Sequence, residues 1–325
     1  MAGSSSWVEM PGSKRSLIEL LEETGRVAVL YHWDSDGISS AVIIVDFLKS
    51  NGLEYSLHVP RIGYYSYDGL PIDEIKHSKA DALVILDYAL KQHVLDKLED
   101  NLGIPIIVVD HHHNRLRERS TYFNPVAIDP TRRYPSTTWV LKELLELPLN
   151  LPIIIGAAGD CMEKIVRLPQ WEDIKKYLAE KNLDWNTIIK ASELLVSNYK
   201  IGSRRAVVRA VEKLLSYDDS LEMVLGDDEW NKYRLIVEEE LDRLLSSEPA
   251  KIVGNVLVYN FKSKYHLASM ATRRLSLLHE DKVVVVVFEN EVEELCQIYV
   301  RSWTHNLISL IDMLVEEGYN AGGKR

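Results

Sequence analysis

Short apolar runs, each of a length suited to one buried strand, alternate with segments of helical periodicity in the first third of the chain. The runs are residues 27–32, 82–86 and 104–109, a further strand is expected at 53–60, and the helical segments include 37–51 and 90–102. Strands without a polar face are typical of sheets that helices cover on both sides. Because strands and helices alternate, the pattern predicts an α/β fold with a doubly wound parallel sheet.

A long helical region and a smaller α/β segment follow. Residues 171–245 have helical periodicity almost throughout, with breaks near Gly202 and Gly226. Beyond residue 249 we expect strands at 252–259, 282–288 and 297–302, and helices at 267–278 and 307–317. The predicted domains are a catalytic domain at 1–185, a helical connector at 186–247 and a C-terminal α/β domain at 248–325. Residues 115–134 are expected to form a loop.

Composition narrows the class of protein without naming a function. The 325 residues are 46% hydrophobic and carry a net charge of -11, which is typical of a globular protein and argues against a surface coated with nucleic-acid contacts. A local basic groove remains compatible with that charge. The chain has two cysteines, no apolar run long enough to cross a membrane and no signal-peptide pattern at its start. We therefore expect a cytoplasmic protein that does not act at a membrane.

Acidic residues follow three of the predicted strands. Asp34 and Asp36 come just after the first, Asp87 follows the run 82–86, and Asp110 follows the run 104–109. Parallel strands bring these ends to one edge of the sheet, where ligands bind in such folds. Carboxylates held together there repel each other unless cations neutralise them. With histidines nearby and no sulfur, the ligands favour manganese, with magnesium, cobalt and zinc as alternatives.

Each of these acids also has an ordinary structural explanation. Asp36 could cap the following helix, and Asp87 could be a turn residue. Asp160, which follows Gly-Ala-Ala-Gly, would be a further hard ligand or part of a turn. The run Asp110–His112 is more specific, because adjacent histidines after a buried strand have few structural uses.

Basic residues form a stripe in the helical region. Arg205, Arg209 and Lys213 are spaced by four residues and would share one helix face. Glu212 is the one acid in the segment 198–215, so the stripe looks unopposed. Such a face suits the phosphates of a polynucleotide, although a solvated helix face is the alternative.

These motifs, in this order, resemble the DHH phosphoesterase superfamily, whose name is the motif found here as Asp110–His112. The resemblance implies two divalent cations, usually manganese. It implies that His112 contacts the scissile phosphate and that Asp110 positions the histidines. His32 is included among the candidate ligands, although the histidine that many members have four residues before the first aspartate is replaced by Leu30. The implied metal ligands are Asp34, Asp36, Asp87, His111 and Asp160.

The last part of the chain more loosely resembles the DHH-associated C-terminal domain. There Arg301 and Ser302 follow a predicted strand, and Gly322-Gly323 matches the start of that domain's glycine-glycine-histidine loop. Lys324 stands where that loop has its histidine. The resemblance implies that the arginine and the glycine loop bind the end of the substrate.

The resemblance favours a RecJ-like, archaeal-type exonuclease or phosphodiesterase that acts on single-stranded DNA or RNA. Its implied partners are single-stranded nucleic acid or a short oligonucleotide, together with a protein of replication or repair. One rival is a hydrolase of small nucleotides, namely oligoribonucleotides, cyclic dinucleotides or 3′-phosphoadenosine 5′-phosphate. Another is a replisome scaffold with an inactive site, against which the retained motifs argue.

Overall fold

The computed structural model describes residues 16–113, 121–129 and 131–319, which fall into two compact units. Unit 1 comprises residues 1–199 and 203–231, and unit 2 comprises residues 200–202 and 232–325. The region 186–247, expected as a separate connector, is thus divided between the two units. The separation into one connector and two domains remains a proposal about how the chain folds.

The sheet of unit 1 has five strands that are all parallel, in the order β2-β1-β3-β4-β5. This confirms the predicted fold class. Strands β1, β3 and β4 are almost fully buried, which explains why their sequences are continuously apolar. The strands are β1 Arg26–Tyr31, β2 Glu54–His58, β3 Ala82–Leu86, β4 Ile106–Val109 and β5 Thr121–Phe123.

Eleven α-helices are described up to residue 225, of which the last four belong to the helical region predicted at 171–245. Described residues contain no helix long and apolar enough to cross a membrane. The helices are α1 Leu17–Glu22, α2 Ser35–Ser50, α3 Ile72–Ser78, α4 Gln92–Leu102, α5 Pro125–Ile128, α6 Thr137–Leu144, α7 Leu151–Cys161, α8 Trp171–Lys181, α9 Trp185–Lys200, α10 Arg204–Ser216 and α11 Leu221–Leu225.

The expected loop at 115–134 was wrong in its middle part. It contains β5, which pairs with β4, and the short helix α5. Asn124 starts that helix, because its side-chain oxygen accepts hydrogen bonds from the N–H groups of Val126 and Ala127 at 3.0 and 3.1 Å. A strand of three residues is too short to show a period in the sequence.

Two glycines allow α7 to lie close against the first turn of α2. A Cβ atom at Gly159 would stand 1.9 Å from the Ser35 hydroxyl oxygen, and one at Gly156 would stand 2.7 Å from a carboxylate oxygen of Asp36. Larger residues would therefore force the two helices apart. The Gly-Ala-Ala-Gly sequence is what brings Asp160, near the end of α7, to the end of β1.

Unit 2 is built on a four-stranded mixed sheet in the order β6-β7-β8-β9. One face of the sheet forms a core with α13 and with the part of α12 that belongs to unit 2. The single strand expected at 252–259 is instead a hairpin, turned at Gly254 with φ +60°. The elements are α12 Asp228–Leu245, which starts in unit 1, β6 Lys251–Val253, β7 Val256–Ser263, α13 Ala268–Leu278, β8 Val283–Asn290, β9 Leu295–Ser302 and α14 Ile308–Glu316.

Candidate metal centre

The residue that follows each central strand is held in place by a backbone hydrogen bond to the neighbouring strand. These bonds extend the ladder by one residue, so the side chains beyond it start from fixed positions. The donors and acceptors are His32 N–H to Leu86 O at 3.1 Å, Asp87 N–H to Val109 O at 3.0 Å, and Asp110 N–H to Phe123 O at 3.0 Å.

The turn after β1 gives its two aspartates different roles. Asp34, not Asp36, is the N-cap of α2, and it accepts a hydrogen bond from Gly37 N–H at 3.0 Å. Gly37 is required because a Cβ atom there would stand 2.1 Å from the carbonyl oxygen of His32. Asp36 is fully buried and accepts hydrogen bonds from the N–H groups of Thr137 and Thr138 at 2.7 and 3.1 Å. Its carboxylate is therefore fixed by the start of α6.

Three overlapping groups of three side chains could each hold a cation: one is Asp87, His111 and His112, and the other two share no residue. In the first of these two, His32 Nδ1 lies 2.9 Å from Asp34 Oδ2 and 3.8 Å from Asp87 Oδ2. In the second, His111 Nε2 lies 2.8 Å from Asp160 Oδ2 and 3.8 Å from Asp36 Oδ2. Within each group the possible ligand atoms all lie within 4.8 Å of one another.

Asp87 connects these two groups. Its second oxygen, Oδ1, lies 3.6 Å from His111 Nε2 and accepts a hydrogen bond from the Thr137 hydroxyl at 3.0 Å. The residue is almost fully buried and has φ +53°, a left-handed conformation that an aspartate tolerates better than most residues. Burial and the neighbouring carboxylates, first Asp36, raise its pKa well above the ordinary value. A position of this kind suits a carboxylate shared between two cations.

Asp110 organises both histidines of the motif. Its Oδ1 atom accepts hydrogen bonds from the N–H groups of His111 and His112 at 2.8 and 3.2 Å, and it lies 2.7 Å from His112 Nδ1. Burial acts to raise the pKa of Asp110, but His112 and His111 outweigh it and keep that pKa below its usual range. The His112 side chain is 28% exposed. With its Nδ1 atom held by Asp110, its Nε2 atom is the one left for a ligand.

The chemistry of the cluster fits divalent cations. Burial raises the pKa of Asp36 to about 6, although His111 opposes the change. Burial acts to lower the pKa of His111, yet Asp160 and Asp36 raise it to about 9. His32 Nδ1 and His111 Nε2 are buried and make no hydrogen bond, although each lies near carboxylate oxygens. Imidazole nitrogens and carboxylate oxygens that face each other in this way could bind a divalent cation.

Three residues near the cluster were not predicted from the sequence. Thr137 and Thr138 are the first two residues of α6. Tyr65 has its hydroxyl oxygen 3.0 Å from His32 Nε2. The Ser-Thr-Thr sequence at the start of α6 was a signal for exposed N–H groups, which attract carboxylates. No sequence signal pointed to Tyr65.

The basic stripe lies on α10 as expected, but it is not unopposed, and that part of the interpretation was wrong. Arg209 lies 2.6 Å from Glu229, and Lys213 lies 2.7 Å from Asp227 and 2.9 Å from Glu229. These acids are 14 to 20 residues further along the chain, so a local count of charges missed them. Arg205 is exposed.

Of the candidates in unit 2, Arg301 and Ser302 lie at the end of β9. Burial, and next the positive charge of Arg273, lower the pKa of the Arg301 guanidinium. The Ser302 hydroxyl accepts hydrogen bonds from the N–H groups of Thr304 and His305 at 3.3 and 3.2 Å, so it stabilises the turn after the strand. Gly322, Gly323 and Lys324 lie outside the described residues.

One comparison with known protein families matches part of the first unit. Residues 26–165 match the family model described as DHH family, N-terminal domain. No match was found among curated proteins. This part of the chain, which contains the five-stranded sheet, is therefore similar to the N-terminal domain of the DHH family.

Solved structures share the fold over most of the chain. An exonuclease RecJ bound to manganese is 18% identical with a TM-score of 0.59, over 83% of this chain and 78% of that one. A DHH domain from a ribosomal-protein family member is 15% identical with a TM-score of 0.65, over 94% and 81%. CDC45 from Entamoeba histolytica is 11% identical with a TM-score of 0.56, over 93% and 91%. At these identities the likeness is one of fold.

Proposed function

We propose that this protein is a manganese-dependent phosphodiester hydrolase that degrades single-stranded DNA or RNA as a RecJ-like exonuclease. One observation carries the proposal: two groups of carboxylate and imidazole ligands meet at Asp87, and His112 lies beside them. Paired sites of this kind serve phosphoryl chemistry in many hydrolases. The likeness to manganese-bound RecJ supports both the choice of ion and the exonuclease activity. Magnesium and cobalt are the alternatives for the ion.

The ligands divide into two ion sites in this proposal. His32, Asp34 and Asp87 would hold one cation, and Asp36, His111 and Asp160 would hold the other, with Asp87 shared. When bound, two divalent cations supply positive charge for the reacting phosphate and acidify an attacking water. Thr137 and Thr138 hold Asp36 and Asp87 in place before any ion arrives.

His112 acts on the substrate in this proposal. Asp110 holds His112 Nδ1, which orients the ring. A cationic imidazole donates from Nε2 to a phosphate oxygen and stabilises the negative charge that develops there. Asp110 itself, being fully buried, acts only through the histidines.

A hydrolase of small nucleotides is the second candidate. The pairing of Arg209 and Lys213 with Glu229 and Asp227 favours it, since a stripe neutralised by acids offers less to a polymer backbone. An inactive scaffold is disfavoured, because buried carboxylates that repel each other destabilise the fold and a scaffold does not need them. Association with a replication or repair protein remains part of the exonuclease proposal.

One assay tests these functions together. Labelled single-stranded DNA, single-stranded RNA and dinucleotides are each incubated with the protein in manganese or in EDTA. We expect stepwise shortening of the polymers in manganese and none in EDTA. Cleavage of the dinucleotides alone would support the second candidate. No cleavage of any substrate in manganese, magnesium or cobalt would contradict the proposed hydrolase.

A further inference from the structure

The two ring nitrogens of His32 have different neighbours. Nδ1 faces the carboxylates of Asp34 and Asp87 at 2.9 and 3.8 Å and makes no hydrogen bond. Nε2 lies 3.0 Å from the hydroxyl oxygen of Tyr65. A ring nitrogen that binds a cation must be free of its proton, so in a metal-bound His32 the proton resides on Nε2 and is donated to Tyr65.

The loop that carries Tyr65 is built to hold that hydroxyl in position. Its two ends are joined by a hydrogen bond from Arg61 N–H to Gly69 O at 2.8 Å. The buried Tyr88 hydroxyl donates to the carbonyl oxygen of Tyr64. The ring of Tyr88 also stacks on that of Tyr65, with 5.5 Å between centroids. Tyr65 is therefore anchored from both its backbone and its ring.

Trp33 completes the surroundings of His32. Its ring lies 4.4 Å from the imidazole and 5.4 Å from the ring of Tyr65, centroid to centroid, and it is itself 4% exposed. Tyr65 thus packs against the rings of Trp33 and Tyr88, although it is still 42% exposed to solvent. The imidazole cannot rotate freely, and its hydrogen-bond partner on the outer side is Tyr65.

We propose that Tyr65 is a positioning residue that fixes the tautomer of His32, and through it the affinity of the cation site formed by His32, Asp34 and Asp87. The inference rests on the proposed function, because it requires that this group binds a cation. The hydroxyl accepts the Nε2 proton, which leaves the Nδ1 lone pair directed at the ion. Without the hydroxyl, the imidazole can place its proton on Nδ1, next to Asp34, and compete with the ion for the site.

The test compares manganese binding by the full chain and by Tyr65→Phe, which keeps the stacked ring and removes only the hydroxyl. We expect isothermal titration of the original protein to show two classes of manganese site. In Tyr65→Phe one class should weaken by about 10-fold or more, which is typical for loss of a hydrogen bond to a ligating histidine. The other class, assigned to Asp36, His111 and Asp160, should keep its affinity.

The tautomer itself supplies a readout that a purely structural role would not change. With ¹⁵N-labelled histidine and zinc as a diamagnetic ion, the spectrum should show His32 protonated on Nε2. In Tyr65→Phe the spectrum should instead show a mixture of His32 protonated on Nε2 and on Nδ1. Tyr67→Phe is the matched control, because it makes the same change in the same loop at a ring that packs under Lys97. It should leave both readouts unchanged.

Each contrary result has a distinct meaning. If Tyr65→Phe binds manganese at both classes with the original affinity, or keeps the same His32 tautomer, the inference is overturned. Equal weakening of both classes would also overturn it, since the effect would then be general. If the original protein binds no manganese, magnesium or cobalt at all, the proposed function fails and the inference falls with it.

Discussion

At the scale of single residues, Asp87 has the most demanding position in the site. It is buried, it lies within reach of both ligand groups, and its backbone adopts φ +53°. The raised pKa means that its charge is unfavourable until a cation compensates for it. Retaining an acid in such a place is a cost to the fold, which an ion would offset.

Asp87→Asn should therefore separate stability from activity. We expect kcat/KM to fall by roughly 100-fold or more, because the carboxylate proposed to be shared by two cations loses its charge. In EDTA, thermal unfolding should occur at the same temperature or higher, since a repulsive charge is gone. Asp46→Asn, on the exposed side of α2, is the control and should change neither quantity. Full activity in Asp87→Asn would remove it from the site.

At the scale of elements, the contact between α2 and α7 decides where Asp160 lies. Because Gly159 has no side chain, α7 can lie directly against the Ser35 hydroxyl at the start of α2. The Ser192 hydroxyl donates a hydrogen bond to Ser35 Oγ at 2.9 Å. A methyl group at Gly159 would require the Ser35 side chain or α7 to move. The ligand geometry of the second cation group thus depends on a residue with no chemistry of its own.

Gly159→Ala should lower the free energy of unfolding by about 1–3 kcal/mol, as expected for overpacking of a tight contact. Manganese affinity should fall as well, because Asp160 moves with the helix. The double variant Ser35→Ala, Gly159→Ala removes the oxygen that the new methyl group would meet, so part of both losses should be recovered. Chemical unfolding and manganese titration measure the two effects. An equal loss in the single and double variants would show that the contact with Ser35 is not the cause.

Helix α10 has a structural role that its sequence did not reveal. Lys213 lies against Asp227, which is 3% exposed in its side chain, and over the ring of Trp230 at 5.5 Å. Lys213→Met should destabilise unit 1 by about 1–3 kcal/mol, because a buried carboxylate loses its cation partner. Arg205→Met, on the same face but exposed, should change stability by less than about 0.5 kcal/mol. Urea unfolding of the two variants makes the comparison, and equal stabilities would refute this role for Lys213.

At the scale of the whole molecule, the ligand groups all belong to unit 1, whereas Arg301 belongs to unit 2. If Arg301 binds a substrate phosphate, Arg301→Ala should lower kcat/KM by roughly 10- to 150-fold, which corresponds to the about 1.5–3 kcal/mol of a hydrogen bond to a charged group. Manganese affinity should stay the same. Arg301→Lys should recover only part of the loss, because an ammonium group lacks the two-pronged donor geometry. Unchanged kinetics in Arg301→Ala would exclude this contact.

The sequence predicted those parts of the molecule that local patterns encode. Apolar runs that stop at Asp34, Asp87 and Asp110 predicted both the parallel sheet and the edge where these acids lie. Strand order, the fifth strand and the partners of the α10 stripe depend on contacts between distant segments, which no local pattern records. Thr137 lies 101 residues from Asp36, the acid that its N–H group binds.

That last contact makes the start of α6 a natural sensor of the site. The N–H groups of Thr137 and Thr138 donate to the two oxygens of Asp36, so their protons are shielded only while that carboxylate stays in place. Loading the site with manganese should restrain Asp36 further and slow the exchange of these two amide protons with deuterium. The amides of Leu141 and Lys142, one turn later in α6, should respond less. Mass spectrometry of exchanged peptides could thus follow metal occupancy without any substrate.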